Sequence, residues 1–146
     1  MAVKAIPDGY HSVTPYLIVK GAEQLIDFLK EAFGAQETFR MPGPEGIMHA
    51  EVRIGDSAVM MSDAMAEFGP MPTMIHLYVE DVDAVYKRAL EAGATPVQEL
   101  KDQFYGDRAG GVRDAFGNLW YIATHVEDVP FEELERRQRE MASQHA

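Results

Sequence analysis

The apolar positions along the chain change period several times, and each change marks an element. From residue 17 to residue 34, "LIVKGAEQLIDFLKEAFG", a short β-rich run gives way to apolar residues at Leu25, Ile26, Phe28 and Leu29. That spacing lays one apolar stripe along a helix. Gly34 then ends the pattern, as a residue free to take a positive φ would. Residues 47–54 alternate instead, with Met48, Ala50, Val52 and Ile54 set against His49, Glu51 and Arg53. Alternation of this kind predicts a strand with one buried face. Pro42-Gly43-Pro44 before it and Gly55-Asp56 after it supply the turns. Residues 58–61 make a last strand, and residues 37–41 an earlier one.

The pattern occurs twice. "LIVKGAEQLIDFLKEAFGA" begins at Leu17 and "LYVEDVDAVYKRALEAGAT" at Leu77. At an offset of 60, Leu17 matches Leu77, Val19 matches Val79, Leu25 matches Val85, Glu31 matches Glu91 and Ala32 matches Ala92. A fixed period of this length is the mark of a repeated supersecondary unit. In the second copy Asp81 or Asp83 caps a helix whose stripe is Val82, Val85, Tyr86 and Ala89, and Gly93 stops it. Strands follow at 96–100, irregularly through 106–111, and at 119–124 after a turn at 114–118. Each copy reads βαβββ, the first over residues 10–62 and the second over 74–126. Residues 63–73, with Gly69, Pro70 and Pro72, form a linker, and residues 127–146 a helical tail. In that tail Asp128 and Pro130 suit a helix start. Glu132–Arg136, Glu133–Arg137 and Glu135–Arg139 are spaced as i,i+4 ion pairs.

Composition narrows the function. The 146 residues suit one domain or two small modules sharing a core. There is no cysteine, which excludes disulfides, thiolate zinc sites and cysteine nucleophiles. Against 13 basic side chains stand 24 acidic ones, a net charge of −11. That balance argues against nucleic acid as a partner and favours cationic ligands by long-range attraction. No apolar run reaches the roughly 18 residues of a membrane span. Residues 1–9 lack the pattern of a signal peptide, so the expectation is a cytoplasmic protein with no membrane partner.

"YHSVTPYLIV", "MHAEVRIGDSAVMMSD", "HLYVEDVDAV" and "QFYGDRAGGVRDAFGNLWYIATHVEDV" carry a family resemblance over residues 10–129. They resemble the vicinal oxygen chelate superfamily, which includes glyoxalase I, extradiol dioxygenases, fosfomycin resistance enzymes and bleomycin resistance proteins. Within it, the PhnB-like branch of glyoxalase/bleomycin-resistance proteins is the nearest in pattern. The resemblance implies an α+β fold in which two βαβββ modules curl a mixed sheet into a cup, with helices outside, a ligand inside and a C-terminal helix added. It also implies a homodimer, since members commonly pair modules between chains, sometimes by domain swapping.

Read with that fold, the alternation assigns side chains to the cup. Thr14 and Tyr16 point in from the first strand, and His49, Glu51 and Arg53 from the third. Met74, His76 and Tyr78 do so from the fifth, and Leu119, Tyr121 and Ala123 from the last. Metal-dependent relatives place a histidine in the first strand and a glutamate in the fourth strand of each module. Those positions fall here on Thr14, Met60, Met74 and Tyr121, none of them a good ligand for a hard or borderline cation. The ancestral metal site is therefore expected to be absent, and no cofactor is expected. A displaced divalent-metal site would draw on His49, Glu51 and His76. The same three are the candidate catalytic residues of a metal-free enzyme, with His49 or His76 as base and Tyr78 or Tyr121 donating to an oxyanion. The bland alternative is a polar network in which Glu51 pairs with Arg53 or Arg108.

Tyr16, Arg53, Met60, Met74, Tyr78, Arg108 and Tyr121 are the expected ligand-binding side chains. Arg108, in "FYGDR", either clamps a carboxylate or phosphonate or pairs with Asp107 at the surface. Two functions follow. One is binding of a small organic ligand in the bleomycin-resistance manner; the other is a glyoxalase-type lyase or isomerase.

Overall fold

The computed structural model describes residues 2–144. The first module comprises β1 (Tyr16–Val19), α1 (Ala22–Phe33), β2 (Gln36–Gly43), β3 (Gly46–Ile54) and β4 (Ser57–Asp63). The second comprises β5 (Met74–Tyr78), α2 (Val82–Glu91), β6 (Thr95–Asp102), β7 (Asp107–Arg113) and β8 (Leu119–His125), and α3 (Phe131–Gln144) follows. The strand orders are β1-β4-β3-β2 and β5-β8-β7-β6. In both sheets the first and last strands run parallel and the remaining pairs antiparallel. The fold is α+β, two βαβββ modules and a C-terminal helix. The last two residues of the expected tail, 145 and 146, lie outside the described residues.

The helices form where the apolar stripes lie. Leu25, Ile26 and Leu29 of α1 are fully buried, as are Leu17, Val52 and Met61 of the sheet beneath. Burial of each such side chain stabilises the fold by about 1.5–3 kcal/mol. α1 and α2 pack side by side, and Phe33 lies against Trp120 with ring centroids 4.8 Å apart. One core therefore runs through both modules, taking in Val82, Val85, Val112 and Ile122.

Each helix start is capped from the last strand of its own module. Gly21, before α1, has no side chain to offer, and Asp63 at the end of β4 substitutes for it. Its Oδ1 accepts the Gly21 and Ala22 N–H groups at 2.8 and 2.9 Å, and its Oδ2 accepts the Ile47 N–H at 2.7 Å. Burial alone would raise this carboxyl, but the three N–H donors outweigh it and hold its pKa below the ordinary value. In the second module Asp81 caps Ala84 at 3.2 Å. There Thr124 of β8 accepts the Val82 N–H at 2.9 Å and donates to the Val79 carbonyl at 2.8 Å. The turn before β8 closes on Asp114, which is buried. Its carboxylate accepts from the Phe116 and Asn118 N–H groups, the Asn118 side-chain amide and the Trp120 indole, at 2.8 to 3.0 Å.

Three expectations are corrected. On β3 the alternation holds for Ala50, Val52 and Ile54, but Met48 is 44% exposed and Ile47 is buried in its place. The β2–β3 register shifts between Met41 and Pro42, and the extra residue turns the strand end over. On α3 the Glu133–Arg137 pair forms at 3.2 Å, but Arg136 bonds Glu133 and Glu140 instead of Glu132. Among the described residues Glu135–Arg139 does not pair. Arg137 fastens the helix to the second module through the Phe104 carbonyl and Glu127. Asp128 does not cap the helix, because it bonds His125 at 2.7 Å. Among the described residues no helix is long and apolar enough to cross a membrane.

Candidate functional site

Each sheet carries its helix on one face and leaves the other open. Cross-strand pairing aligns Phe39, Glu51, Met60 and Tyr16 in one row of the first sheet. The corresponding row of the second sheet is Gln98, Gly111, Tyr121 and His76. The sequence repeat is thus a structural one, with Tyr16 in the place of His76 and Met60 in the place of Tyr121.

On the first open face three side chains form a chain of hydrogen bonds. His49 and Glu51 share a face because they are two apart on β3, and His49 Nε2 lies 2.7 Å from Glu51 Oε2. The Tyr16 hydroxyl reaches His49 Nδ1 at 3.0 Å. A carboxylate accepts only, so the single hydrogen of an imidazole in this chain sits on Nε2. In that neutral form Nδ1 is the acceptor and Tyr16 donates. Exposure falls along the chain, from 42% at Tyr16 to side-chain values of 25% at His49 and 14% at Glu51. The Tyr16 and Phe39 rings flank the imidazole, with centroids 5.5 and 5.9 Å away.

A cavity of about 390 Å³ lies beside this chain, walled by Ile6, Tyr10, His11 and Thr14 on one side and by Glu51 and Met60 on the other. Arg53 holds the N-terminal wall in place. Its Nη1 donates to the Gly9 carbonyl at 2.6 Å and its Nη2 to the Asp56 carbonyl at 3.1 Å. Gly9 has φ 84°, and a Cβ there would sit 2.9 Å from Arg53 Nη1. The N-terminal segment as a wall was not foreseen from sequence; its Pro7 and Gly9 mark the turn.

On the second open face His76 stacks on Tyr121, centroids 5.3 Å apart, and meets Tyr78 edge-on at 4.8 Å. Tyr121 and Tyr105 share a hydrogen bond at 3.3 Å. Tyr78 donates to Asp107 Oδ2 at 2.7 Å, and the other Asp107 oxygen is 2.8 Å from His125 Nδ1. Asp107 is only 3% exposed. Its hydrogen bond raises the Tyr78 phenol, with burial adding to the effect. The hydrogen bonds to Asp107 and Asp128 raise His125. Tyr105 is raised too, by burial first and then by Tyr121.

Several expected partners are different. Asp107 and Arg108 do not pair, since successive strand residues point to opposite faces. Arg108 lies toward α2 and bonds Asp83 of that helix and Asp102 at the end of β6, at 3.0 to 3.3 Å. It is not on the open face. Glu51 pairs with neither Arg53 nor Arg108 but with His49. Met74 is 61% exposed at the head of β5. Tyr105, Asp107 and His125 were missed; alternation along "YGDRAG" already placed Asp107 opposite Arg108.

The donor set does not fit a divalent ion within one chain. His49 and Glu51 bond each other, and His76 lies on the second sheet against Tyr121. Among the described residues no group of three or more His, Cys, Asp or Glu is placed to hold a metal ion.

Paired βαβββ modules, each with one helix-covered face and one open face of aromatic, thioether and hydrogen-bonded polar groups, define the class. Residues 9–122 match the Glyoxalase/Bleomycin resistance protein/Dioxygenase superfamily, and the chain belongs to it. An uncharacterised protein of Mycobacterium bovis is 40% identical over 92% of this chain and 94% of its own length. Among solved structures, TioX from Micromonospora sp. ML1 aligns with a TM-score of 0.68 at 29% identity, over 80% of this chain and 99% of that one. TnmS3, an antibiotic-binding protein from Streptomyces sp. CB03234, aligns with a TM-score of 0.63 at 23% identity, over 86% of this chain and 98% of that one.

Proposed function

We propose that this protein binds a small organic ligand against its open sheet faces, and that two copies pair to enclose it. The observation that carries the reading is the exposure of Tyr16, Phe39, Met41, Met74 and Tyr78, 42 to 61% each, around buried or hydrogen-bonded polar groups. Apolar area with a few fixed polar groups is the usual make-up of a ligand site. Within one chain neither face covers the other. A twofold-related copy would set the first sheet of one chain against the second sheet of its partner, giving two identical clefts. The family includes bleomycin resistance proteins, and the fold serves antibiotic binding in TnmS3. Sequestration needs no metal and no reaction.

The test is a thermal-shift screen of aromatic antibiotics, with sedimentation velocity on the unliganded protein. A ligand at a hundredfold excess over its Kd stabilises by about 2.7 kcal/mol. A dimer and at least one concentration-dependent shift are expected. A monomer that no compound stabilises would refute the proposal.

The chain Tyr16–His49–Glu51 favours a second reading, a lyase or isomerase of glyoxalase type working without a metal. A hydroxyl, an imidazole and an orienting carboxylate in sequence is the arrangement that moves protons in acid–base enzymes. Incorporation of solvent deuterium into hydroxyacetone, lost in His49→Gln, would support it over simple binding.

A further inference from the structure

We propose that the ligand group seated at Tyr16 is a positively charged hydrogen-bond donor, an ammonium or amidinium, and that Tyr16 reads it as a fixed acceptor. The inference rests on the small-ligand reading above and names the chemistry that its site selects.

The Tyr16 hydroxyl has one hydrogen, and it is spent on His49 Nδ1, 3.0 Å away. A neutral His49 has one, and beside a carboxylate it is spent on Glu51, 2.7 Å away. What Tyr16 offers outward is therefore oxygen lone pairs alone. The second open face repeats the device with different residues. Tyr78 spends its hydrogen on Asp107 at 2.7 Å and is 57% exposed. Each face thus presents a phenol whose hydrogen points inward, toward a partner that a carboxylate anchors or supplies.

Charge and ring placement select in the same direction. Glu51 and Met60, the strand neighbour of Tyr16, line the cavity of about 390 Å³, and a cation beside Glu51 gains Coulomb energy that an anion would lose. The rings of Tyr16 and Phe39 flank that of His49 at 5.5 and 5.9 Å along the face, and tyrosine and phenylalanine faces attract organic cations. The guanidinium of Arg53 on this face is committed elsewhere, since it donates to the Gly9 and Asp56 carbonyls. Arg108 bonds Asp83 and Asp102 toward α2. Among the described residues a carboxylate or phosphonate ligand would thus meet no free arginine on this face.

The experiment uses three probes with one ring and different ends: tyramine, para-hydroxyphenylpropionate and para-ethylphenol. Each is titrated at millimolar concentration into the full-length protein, with Tyr16 and His49 followed by NMR. Tyramine should bind at least about tenfold more tightly than the propionate, as one charge-assisted hydrogen bond implies. Tyr16→Phe should cost tyramine about tenfold in affinity and leave para-ethylphenol unchanged, which also shows that the variant folds. Propionate binding as tightly as tyramine, or a Tyr16→Phe variant that keeps the full amine preference, would overturn the inference and leave the small-ligand reading standing. Failure of all three probes to move Tyr16 or His49 would overturn both.

Discussion

His49 and Glu51, two residues apart on β3, are joined by a 2.7 Å hydrogen bond that decides which ring nitrogen faces Tyr16. The nitrogen toward Glu51 carries the hydrogen, so the one toward Tyr16 accepts. Glu51→Gln replaces that acceptor with an amide that can donate, and the preference is lost. Nitrogen-15 NMR of the imidazole should show the Nε2–H tautomer in the parent protein and a mixed population in the variant. The loss of stability should be modest, about 1 kcal/mol by urea unfolding. An unchanged tautomer in Glu51→Gln would show that something other than the carboxylate sets it.

Asp63 joins the start of α1 to β3 and β4 through three backbone N–H groups. Its pKa lies below the ordinary 3.8, so the stability it contributes is present above that value and is lost as pH falls through the folded-state value. Asp63→Asn leaves some of those donors unpaired, at a cost of about 1–3 kcal/mol near neutral pH. Urea unfolding should show the gap between the two proteins narrowing as the solution is acidified toward pH 3.8 and below. A gap independent of pH would remove the carboxylate charge from the explanation.

His125 bridges Asp107 and Asp128, and both hydrogen bonds raise its pKa above 6.5. A raised folded-state value means that the stabilisation is complete below 6.5 and fades as pH rises through the folded-state value. Thermal unfolding of the parent protein should fall over that interval relative to His125→Gln. Parallel curves for the two proteins would exclude the bridge as the source.

Asp114 takes four hydrogen bonds inside the turn that precedes β8, one of them from the indole of Trp120. Asp114→Ala would strand buried donors, at about 1–3 kcal/mol for each group left unsatisfied. Urea unfolding followed by the fluorescence of Trp120 should show a loss of several kcal/mol, or failure to fold. A change below about 1 kcal/mol would mean that water replaces the carboxylate.

Much of this was legible before the structure. The offset of 60 between Leu17 and Leu77 exposed the two modules, and alternation, read with the fold that the family resemblance implies, put Tyr16, His49, Glu51, His76, Tyr78 and Tyr121 inside the cup. Other features depend on registers that local pattern does not carry. Met48 alternates correctly in sequence, yet it is the unpaired extra residue where β3 slips against β2, and the bulge turns it out. The partner of Arg108 is Asp83, 25 residues away on α2, and nothing near "FYGDR" points there. Asp107 meets His125 only because β7 and β8 pair at those two residues.

The central claim, a small ligand held on the open faces, is tested most directly by its footprint on the methionines. The chain has nine of them, and their methyl groups can be labelled and read by NMR. Met41, Met60 and Met74 lie on or at the rim of the open faces, Met61 is fully buried in the core, and Met141 lies on α3. Titration with the antibiotic that gives the largest thermal shift should move Met60 and Met74 first and leave Met61 and Met141 in place. Shifts confined to Met141, or to Met65 in the linker, with Met60 and Met74 unmoved, would contradict it.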